Sequence, residues 1–510
     1  MTVTFLAGFN ANGTPAGSSP FYVAPGCNAQ YQDATEANSQ ITWTQAGTFS
    51  NLYTYIENNT GTGTLVFRIA AGNGNETITV GASVTGALTD ATHTDAVASG
   101  NQIDYKGTSS NGSLAQNVTG AQFTPTTTAN VVNKLGANIP FTDSSVSTTY
   151  FLPICGQMNN NTTEANVQAT NNDTATLSNL YVYISANTAS VATVKSRIGG
   201  ANGNLVASIG SGATGVVQDT THTDSLVAGN LINYAFNSTV TTTLTINQCA
   251  ADYINTQEFT QYVASYAGNA AMTTSLTQYQ SICGTLIFNN TEANASVPLG
   301  FASTFSNLQV FVPTNTLTAT STMVFRIAAG TGNQTVSFTS GTTGLQTDTT
   351  HTDAAGSAQA VDYRMVSGGT GTSIKITLMG SMCSIASSIS ATGSSTGTAT
   401  AQATAISTAA AVGSVTGVAV ASGVMNATCL IVGNAVGQAI ASAIGNSTAL
   451  AVGSVSAAAV CSGIGSQGIL TVGNAVGQAG VNGIACIEGN LYTPLGADSG
   501  DTYTSNVLEC

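Results

Sequence analysis

Charged residues are scarce in this sequence. Lys and Arg number 8 and Asp and Glu 22 among 510 residues, so 6% of the chain is charged, against roughly 25% in an ordinary soluble domain. The net charge of −14 and the lack of a Lys/Arg cluster make nucleic acid and anionic membranes poor partners. Hydrophobic residues make up 42%, which excludes a disordered polyelectrolyte. A surface carried by Thr, Ser, Asn and Gln is typical of a protein that assembles with other copies outside a cell.

A secretory signal and a membrane-spanning run are also missing. Residues 1–8 contain no basic residue and no long apolar stretch, which argues against ordinary secretion and leaves release by lysis open. Residues 376–487 carry no charge, but Gly, Ser, Thr and Asn interrupt them throughout, and Leu, Ile and Phe are scarce. We therefore expect no membrane insertion.

A period of about 128 residues runs through most of the chain. Cys27, Cys155 and Cys283 are 128 residues apart, and Thr-Glu-Ala-Asn, Ser-Asn-Leu and Arg-Ile recur with nearly the same period. The three histidines lie in three copies of Asp-x-x-His-Thr-Asp. Such self-similarity is typical of tandem domains. The prediction is an N-terminal arm followed by three domains, with bounds 1–19, 20–147, 148–275 and 276–388.

Each of the three units has the pattern of an all-β domain. Residues 50–56 and 64–69 alternate between two faces, and Asn73-Gly74 follows as a strong hairpin-turn signal. Runs rich in Thr, Val, Ile and Tyr are separated by Gly, Asn, Thr and Asp turns, without a helical period. These features predict a jelly-roll-like antiparallel sandwich of two sheets and about eight strands.

A second, shorter repeat follows the three units. We expect residues 389–491 to form a β-solenoid-like shaft of five 20-residue repeats, and 492–510 a C-terminal tail. Because Ala and Val bury little apolar area per residue, several chains are expected to wind together, with a homotrimer as the natural count. The period is marked by glycines in a stretch of Ala, Gly, Val and Ser, at Gly393, Gly413, Gly433, Gly453 and Gly473.

Two charged constellations recur with the longer period. Two Asp and one His within six residues could ligate Ca²⁺ or another divalent ion. The favoured interpretation is a structural turn, in which Asp and Thr side chains bond nearby backbone N–H groups. One Glu and one Arg per unit predict a structural ion pair. The Asp/His sets are Asp90, His93 and Asp95; Asp219, His222 and Asp224; and Asp348, His351 and Asp353. The Glu/Arg pairs are Glu36 with Arg68, Glu164 with Arg197, and Glu292 with Arg326.

The nine cysteines cannot all pair within one chain. Cys155 with Cys249, and Cys283 with Cys383, each bracket one unit, so each pair either forms a disulfide or remains as buried thiols. No C-x₂-C pair indicates zinc, and no His lies outside the repeated motif to activate a catalytic Cys. We therefore expect no cofactor and no catalytic residue.

The three similar units and the Gly/Ala/Val shaft resemble the tandem jelly-roll repeat proteins of phage and virus surfaces, which are fibres, head decorations and receptor-binding appendages. The resemblance implies a trimeric, extracellular structural protein of a virion that attaches to a host surface or glycan. A phage or virion fibre or appendage subunit, and not an enzyme, is therefore the leading hypothesis. The second is a subunit of a cellular extracellular filament or surface layer. The third is a secreted carbohydrate-active enzyme with β-sandwich modules, which should carry two unrepeated carboxylates in a separate domain.

Overall fold

The structure is a computed structural model of the 510-residue chain. The chain divides into two compact units, Met1–Thr256 with Thr260–Cys383 and Gln257–Phe259 with Ser384–Cys510. Among the residues that the structure describes, no helix is long and apolar enough to span a bilayer. The described residues are 3–5, 20–25, 33–110, 114–126, 132–143, 148–158, 161–188, 190–239, 243–255, 260–285, 288–299, 301–357, 359–385, 387–392, 397–403, 406–412, 417–423, 426–432, 437–444, 446–452, 456–464, 467–472, 476–484 and 504–505.

The first unit contains three sandwiches, each built from two facing sheets. The strands of sandwich 1 are β1 Val3–Phe5, β2 Phe21–Val23, β3 Ile41–Thr42, β4 Gly47–Asn59, β5 Thr62–Ile69, β6 Gly72–Val80, β7 Gly86–Val97, β8 Gln102–Ser110 and β9 Leu114–Pro125. One sheet has the order β1-β9-β4-β7 and the other the order β2-β8-β5-β6, with β3 paired to β8. A 3-10 helix at Glu36–Asn38 precedes β3.

Sandwiches 2 and 3 repeat this plan, including 3-10 helices at Glu164–Asn166 and Glu292–Asn294. Sandwich 2 contains β10 Val132–Asp143, β11 Thr149–Leu152, β12 Gly156–Gln157, β13 Ala169–Thr170, β14 Ala175–Asn187, β15 Ala192–Ile198, β16 Ala201–Ile209, β17 Gly215–Leu226, β18 Leu231–Ser238 and β19 Leu244–Asn255. Sandwich 3 contains β20 Thr260–Met272, β21 Thr277–Gln280, β22 Gly284–Thr285, β23 Val297–Pro298, β24 Ser303–Val312, β25 Thr314–Asn315, β26 Ser321–Ile327, β27 Gly330–Phe338, β28 Gly344–Ala355, β29 Ala360–Val366 and β30 Ile374–Ile385.

The strand order identifies each sandwich as a jelly roll. The sheets are β12-β10-β19-β14-β17 and β11-β18-β15-β16 in sandwich 2, and β22-β20-β30-β24-β28 and β21-β29-β26-β27 in sandwich 3. Among the eight principal strands of each sandwich, the first, eighth, third and sixth form one sheet, and the second, seventh, fourth and fifth form the other. This is the double Greek-key order of a jelly roll. The predicted all-β class with antiparallel, jelly-roll-like sandwiches is confirmed.

Alternating burial along the strands closes the two sheets over an apolar core. In sandwich 1, Trp43 meets Phe123 edge-on with ring centroids 4.8 Å apart, and Phe49 lies 4.6 Å from Phe67 across the sheets. The repeated Ser-Asn-Leu segment forms a bulge in β4, where Asn51 has a φ of 55° and the pairing with β7 shifts. Asn tolerates this left-handed conformation better than most residues.

The hairpin turn between β5 and β6 lies earlier than the predicted Asn73-Gly74. Ala70 and Ala71 both have positive φ and connect Ile69 to its partner Gly72. Gly74 lies inside β6, where a Cβ atom would come within 2.4 Å of a carboxylate oxygen of Asp95. The glycine signal therefore reflects a close approach of two chain segments and not a turn.

The sandwich boundaries also differ from the predicted ones. β1 lies within the predicted arm 1–19, and the first strands of sandwiches 2 and 3 begin at Val132 and Thr260 rather than at 148 and 276. Residues 132–143 and 260–272, which precede the predicted bounds, form the strands β10 and β20 and pair with β19 and β30. A repeat period determines the length of a unit but not the point in the repeat where a domain begins.

The second unit consists of strands paired in parallel, each with the residues 20 positions further along. One sheet takes alternate strands from β31 to β39, and the other takes β32 to β40 and then β41. The five repeat glycines and most of the tail lie outside the described residues. The strands are β31 Ser387–Thr392, β32 Gly397–Ala403, β33 Ile406–Val412, β34 Gly417–Gly423, β35 Asn426–Val432, β36 Gly437–Ile444, β37 Asn446–Val452, β38 Ser456–Ile464, β39 Gln467–Val472, β40 Val476–Ile484 and β41 Thr504–Ser505.

Candidate functional site

The Asp-x-x-His-Thr-Asp motif lies on β7, β17 and β28, the edge strands of one sheet in each sandwich. Asp90 is buried, and its Oδ2 accepts a hydrogen bond from the backbone N–H of Thr77 on β6 at 2.8 Å. His93 Nδ1 lies 2.9 Å from the same carboxylate, but the His93 side chain is 59% exposed. The corresponding contacts recur at Asp219 with His222 and at Asp348 with His351.

The second aspartate of the motif reaches the same neighbouring strand. Asp95 is buried and accepts the backbone N–H groups of Asn75 at 2.7 Å and Glu76 at 3.0 Å. Asp224 and Asp353 accept equivalent backbone groups in the other sandwiches. Because β6 and β7 belong to different sheets, the two aspartates of each motif connect the sheet edges. They accept hydrogen bonds from backbone N–H groups of an edge strand that strand pairing does not satisfy.

The hydrogen bonds also set the charge of the motif. Burial alone would raise the pKa of Asp90, but the bonds from Thr77, His93 and Thr92 outweigh it and lower the pKa well below its ordinary range. In Asp348 the same balance lowers the pKa to about 2. In the part of the chain that the structure describes, no group of three His, Cys, Asp or Glu side chains could hold a metal ion. The geometry is that of a connector between sheets.

The structure brings each repeated Glu and Arg together. The closest N–O distances are 2.7 Å for Arg68 and Glu36, 2.8 Å for Arg197 and Glu164, and 2.9 Å for Arg326 and Glu292. In each sandwich the Arg also donates to a backbone carbonyl of the hairpin turn that follows its strand, at Ala71, Gly200 and Ala329. Each pair thereby fixes a 3-10 helix to a hairpin turn.

Two further carboxyl groups are buried beside these ion pairs. Asp104 lies opposite Arg68 in the β5–β8 ladder, and both its oxygens are buried without a hydrogen-bond partner. Burial and the nearby Glu36 raise the pKa of Asp104 to about 8. Asp362 occupies this position in sandwich 3, where burial raises its pKa to about 7 despite a hydrogen bond from Ser296. Sandwich 2 carries a neutral Asn233 there.

The four cysteines proposed for disulfides are all buried, and the structure shows neither disulfide. Cys155 immediately precedes β12, and Cys249 lies on β19, with β10 between the two strands. β20 separates the positions of Cys283 and Cys383 in the same way. Two strand spacings amount to about 9.5 Å, which exceeds the Cα separation of about 7 Å that a disulfide spans. Of the two interpretations, buried thiols fit this arrangement.

The sandwiches contact one another through a recurring pair of surfaces. One is the segment around the 3-10 helix, and the other is the outer face of the sheet that holds the third strand, β4, β14 or β24. At the contact of sandwiches 1 and 2, here called seam 1–2, Tyr181 donates its hydroxyl to the Gln40 carbonyl at 3.1 Å and Gln248 donates to the Asn38 carbonyl at 2.7 Å. Thr44 donates to Asp252 at 2.6 Å.

Seams 2–3 and 3–1 use the same two surfaces, although the residues in contact differ. Gln309, in the position of Tyr181, bonds both the N–H and the carbonyl of Thr170, each at 2.9 Å. At seam 3–1, the Asn294 amide donates to Glu57 on β4 at 2.7 Å. Tyr53, in the position of Tyr181, belongs to the apolar cluster that continues through sandwiches 2 and 3. Since each sandwich presents one surface to the next and the third returns to the first, the contacts form a closed, threefold-like ring.

The motifs of the sequence do not include the residues of these seams. Tyr53, Tyr181 and Gln309 are 128 residues apart, so the repeat register could have marked the position. The replacement of Tyr by Gln in the third unit hides the repeat at this position. Glu57 could have been noticed as a charge that occurs in only one of the three units, since Ser185 and Pro313 take its place.

Comparisons with known proteins give only distant similarities. No protein-family model matches the sequence, and no curated protein matches it. A chain in the atomic structure of Sulfolobus turreted icosahedral virus shares 14% identity, with a TM-score of 0.16 over 67% of this chain and 80% of that one. A chain from an archaeal virus described for its triple jelly-roll fold and turret assembly shares 14% identity, with a TM-score of 0.15 over 68% and 80%. Similarity at these scores carries no argument about function.

Proposed function

We propose that this chain is a structural subunit of a virion, part of a fibre or other surface appendage, and not an enzyme. The observation that carries the proposal is the closed ring of three jelly rolls, in which equivalent surfaces meet at each of the three seams. The recurring charged motifs support it, because their hydrogen bonds connect sheets, helices and turns of the same sandwich. A single cleft with a catalytic constellation is not needed to account for them.

In this proposal, copies of the chain associate through the second unit. The ring satisfies its recurring surfaces within one chain, so the sandwiches need no further copies to complete it. Ala, Gly, Val and Ser side chains offer little apolar area per residue, and winding three copies together would cover more of it. We infer a homotrimer. An exposed surface of Thr, Ser and Asn offers donors and acceptors without charge, which suits a host glycan.

The test combines a mass measurement with imaging. Light scattering on the full-length protein should give a closed oligomer of three chains, about 153 kDa from the chain mass of 51.0 kDa. Antibody labelling of native particles should place the protein on their surface. A monomer would contradict the trimer, and open filaments without particles would favour a cellular filament or surface layer.

A further inference from the structure

We propose that the face of sandwich 1 formed by Tyr53 and Glu57 is an exchangeable docking surface for sandwich 3. In the closed ring it is filled by sandwich 3 of the same chain, and when the ring opens it takes sandwich 3 of a second copy. The inference rests on the contacts at seam 3–1 and does not depend on assignment of the chain to a virion.

Chain connectivity distinguishes this seam from the other two. Sandwich 1 leads directly into sandwich 2 through residues 126–131, and sandwich 2 leads into sandwich 3 through residues 256–259. Such short connections keep neighbouring sandwiches at a high effective concentration. No segment leads from sandwich 3 back to sandwich 1, because the chain continues from β30 into the second unit. Noncovalent contacts alone therefore close the ring at this point.

Glu57 provides a specific polar contact at the seam. Its Oε1 accepts from the Asn294 amide of sandwich 3 at 2.7 Å, and its Oε2 accepts from the Asn117 amide of its own sandwich at 3.0 Å. Both amides belong to buried residues, so loss of the carboxylate would leave buried donors without this acceptor. The equivalent positions, Ser185 and Pro313, carry no charge, which restricts the contact to the surface of sandwich 1.

Tyr53 leaves a buried hydroxyl unpaired at this seam, at the position where seam 1–2 has a hydrogen bond. Its ring is buried, and burial together with Cys283 of sandwich 3 raises its pKa well above the usual range. Its hydroxyl is buried without a hydrogen-bond partner, whereas the equivalent hydroxyl of Tyr181 donates to the Gln40 carbonyl. A buried hydroxyl without a partner weakens an interface. Because seam 3–1 also has no covalent connection between its two sandwiches, we expect the ring to open there before it opens at seam 1–2.

Sandwich 3 of a second copy offers the same surface as the sandwich it would replace. Exchange of an identical element between copies recreates the original contacts and is a low-cost route to association. Only 6% of residues are charged, so the surface carries few of the charged side chains that normally block association between copies.

The experiment uses the full-length chain and the substitution Glu57→Ala. Hydrogen exchange followed by mass spectrometry should show amides at residues 53–57 and 289–299 exchanging at least about tenfold faster than in the wild type, with residues 177–184 unchanged. In a second measurement, ¹⁵N-labelled and unlabelled chains are mixed and photo-cross-linked. Cross-links between sandwich 1 of one isotope and sandwich 3 of the other should rise severalfold in the variant.

Asn166→Ala is the matched control. Asn166 occupies the position of Asn294 in sandwich 2, and its amide bonds Asn161 at 3.3 Å as that of Asn294 bonds Asn289 at 3.4 Å. Pro313 takes the place of Glu57 on sandwich 3, so Asn166→Ala should change neither readout. If Glu57→Ala does not fold, Glu57→Gln keeps one acceptor and should give an intermediate effect. Equal exchange at the three seams would overturn the role of Glu57. Faster local exchange without mixed-isotope cross-links would overturn docking of a second copy.

Discussion

Glu76→Gln should stabilise the first unit at neutral pH. Glu76 is buried, accepts the backbone N–H of Leu52 at 2.8 Å, and has a second oxygen without a hydrogen-bond partner. In the other sandwiches, the oxygen equivalent to Asp95 Oδ2 accepts from a neutral side chain, the Ser196 hydroxyl or the Gln334 amide. Gln334 occupies the position of Glu76. A protonated Glu76 could supply the same donor to Asp95, and we infer that it is buried as a neutral acid.

The magnitude follows from the difference in pKa between folded and unfolded chains. Burial, with Asp95 and Asp90 nearby, raises the pKa of Glu76 to about 8, whereas an unfolded Glu has a pKa of about 4.3. Between these values the folded chain binds more protons, so stability falls as the pH rises through this window and levels off above it. At pH 7 the difference amounts to about 3–4 kcal/mol. Gln avoids this cost, so Glu76→Gln should gain up to roughly that amount at pH 7 and little at pH 4.

Urea unfolding at pH 4.5, 6 and 7.5 tests this prediction, with the midpoint of the first unit as the readout. Gln334→Glu is the matched control, because it places an acid at the equivalent site of sandwich 3. This variant should be less stable than the wild type at pH 7.5, and the stability it loses should increase as the pH rises, as predicted for the charge of Glu76. If Glu76→Gln is destabilised at every pH, or keeps the pH dependence of the wild type, Glu76 is ionised in the fold and the reasoning fails.

Three further predictions follow from other contacts. Arg326→Lys should lower the unfolding free energy by about 1–3 kcal/mol in urea, because Lys cannot reproduce the two-pronged bond to Glu292. Asp348→Asn should cost about 1–3 kcal/mol at pH 7. Its effect should shrink as the pH falls below about 4, because its lowered pKa gives stability that acid removes; equal costs at pH 7 and pH 2.5 in thermal scans would contradict this. Tyr181→Phe should cost about 1 kcal/mol in urea, whereas Tyr53→Phe should cost nothing; equal losses would refute the difference between the seams.

The local features of the sandwiches could be predicted from the sequence. The alternation in residues 50–56 and 64–69 indicated strands, because a half-buried sheet selects side chains with a period of two. The 128-residue period indicated three domains of one kind, since equal segments fold alike. Recurrence of Glu and Arg at fixed positions predicts an ion pair, because unpaired buried charges are costly.

Contacts between distant segments were decided only by the tertiary structure. The period could not tell where a sandwich begins, because β10 and β20 become strands by pairing with β19 and β30 more than 100 residues away. Composition could not show that Asp95 caps a strand of the opposite sheet, or that Glu76 lies in a buried site where its charge is disfavoured. The closing of the ring at Glu57 and Asn294 joins residues 237 positions apart. Neither local propensity nor periodicity predicts that contact, because it results from the packing of three whole sandwiches.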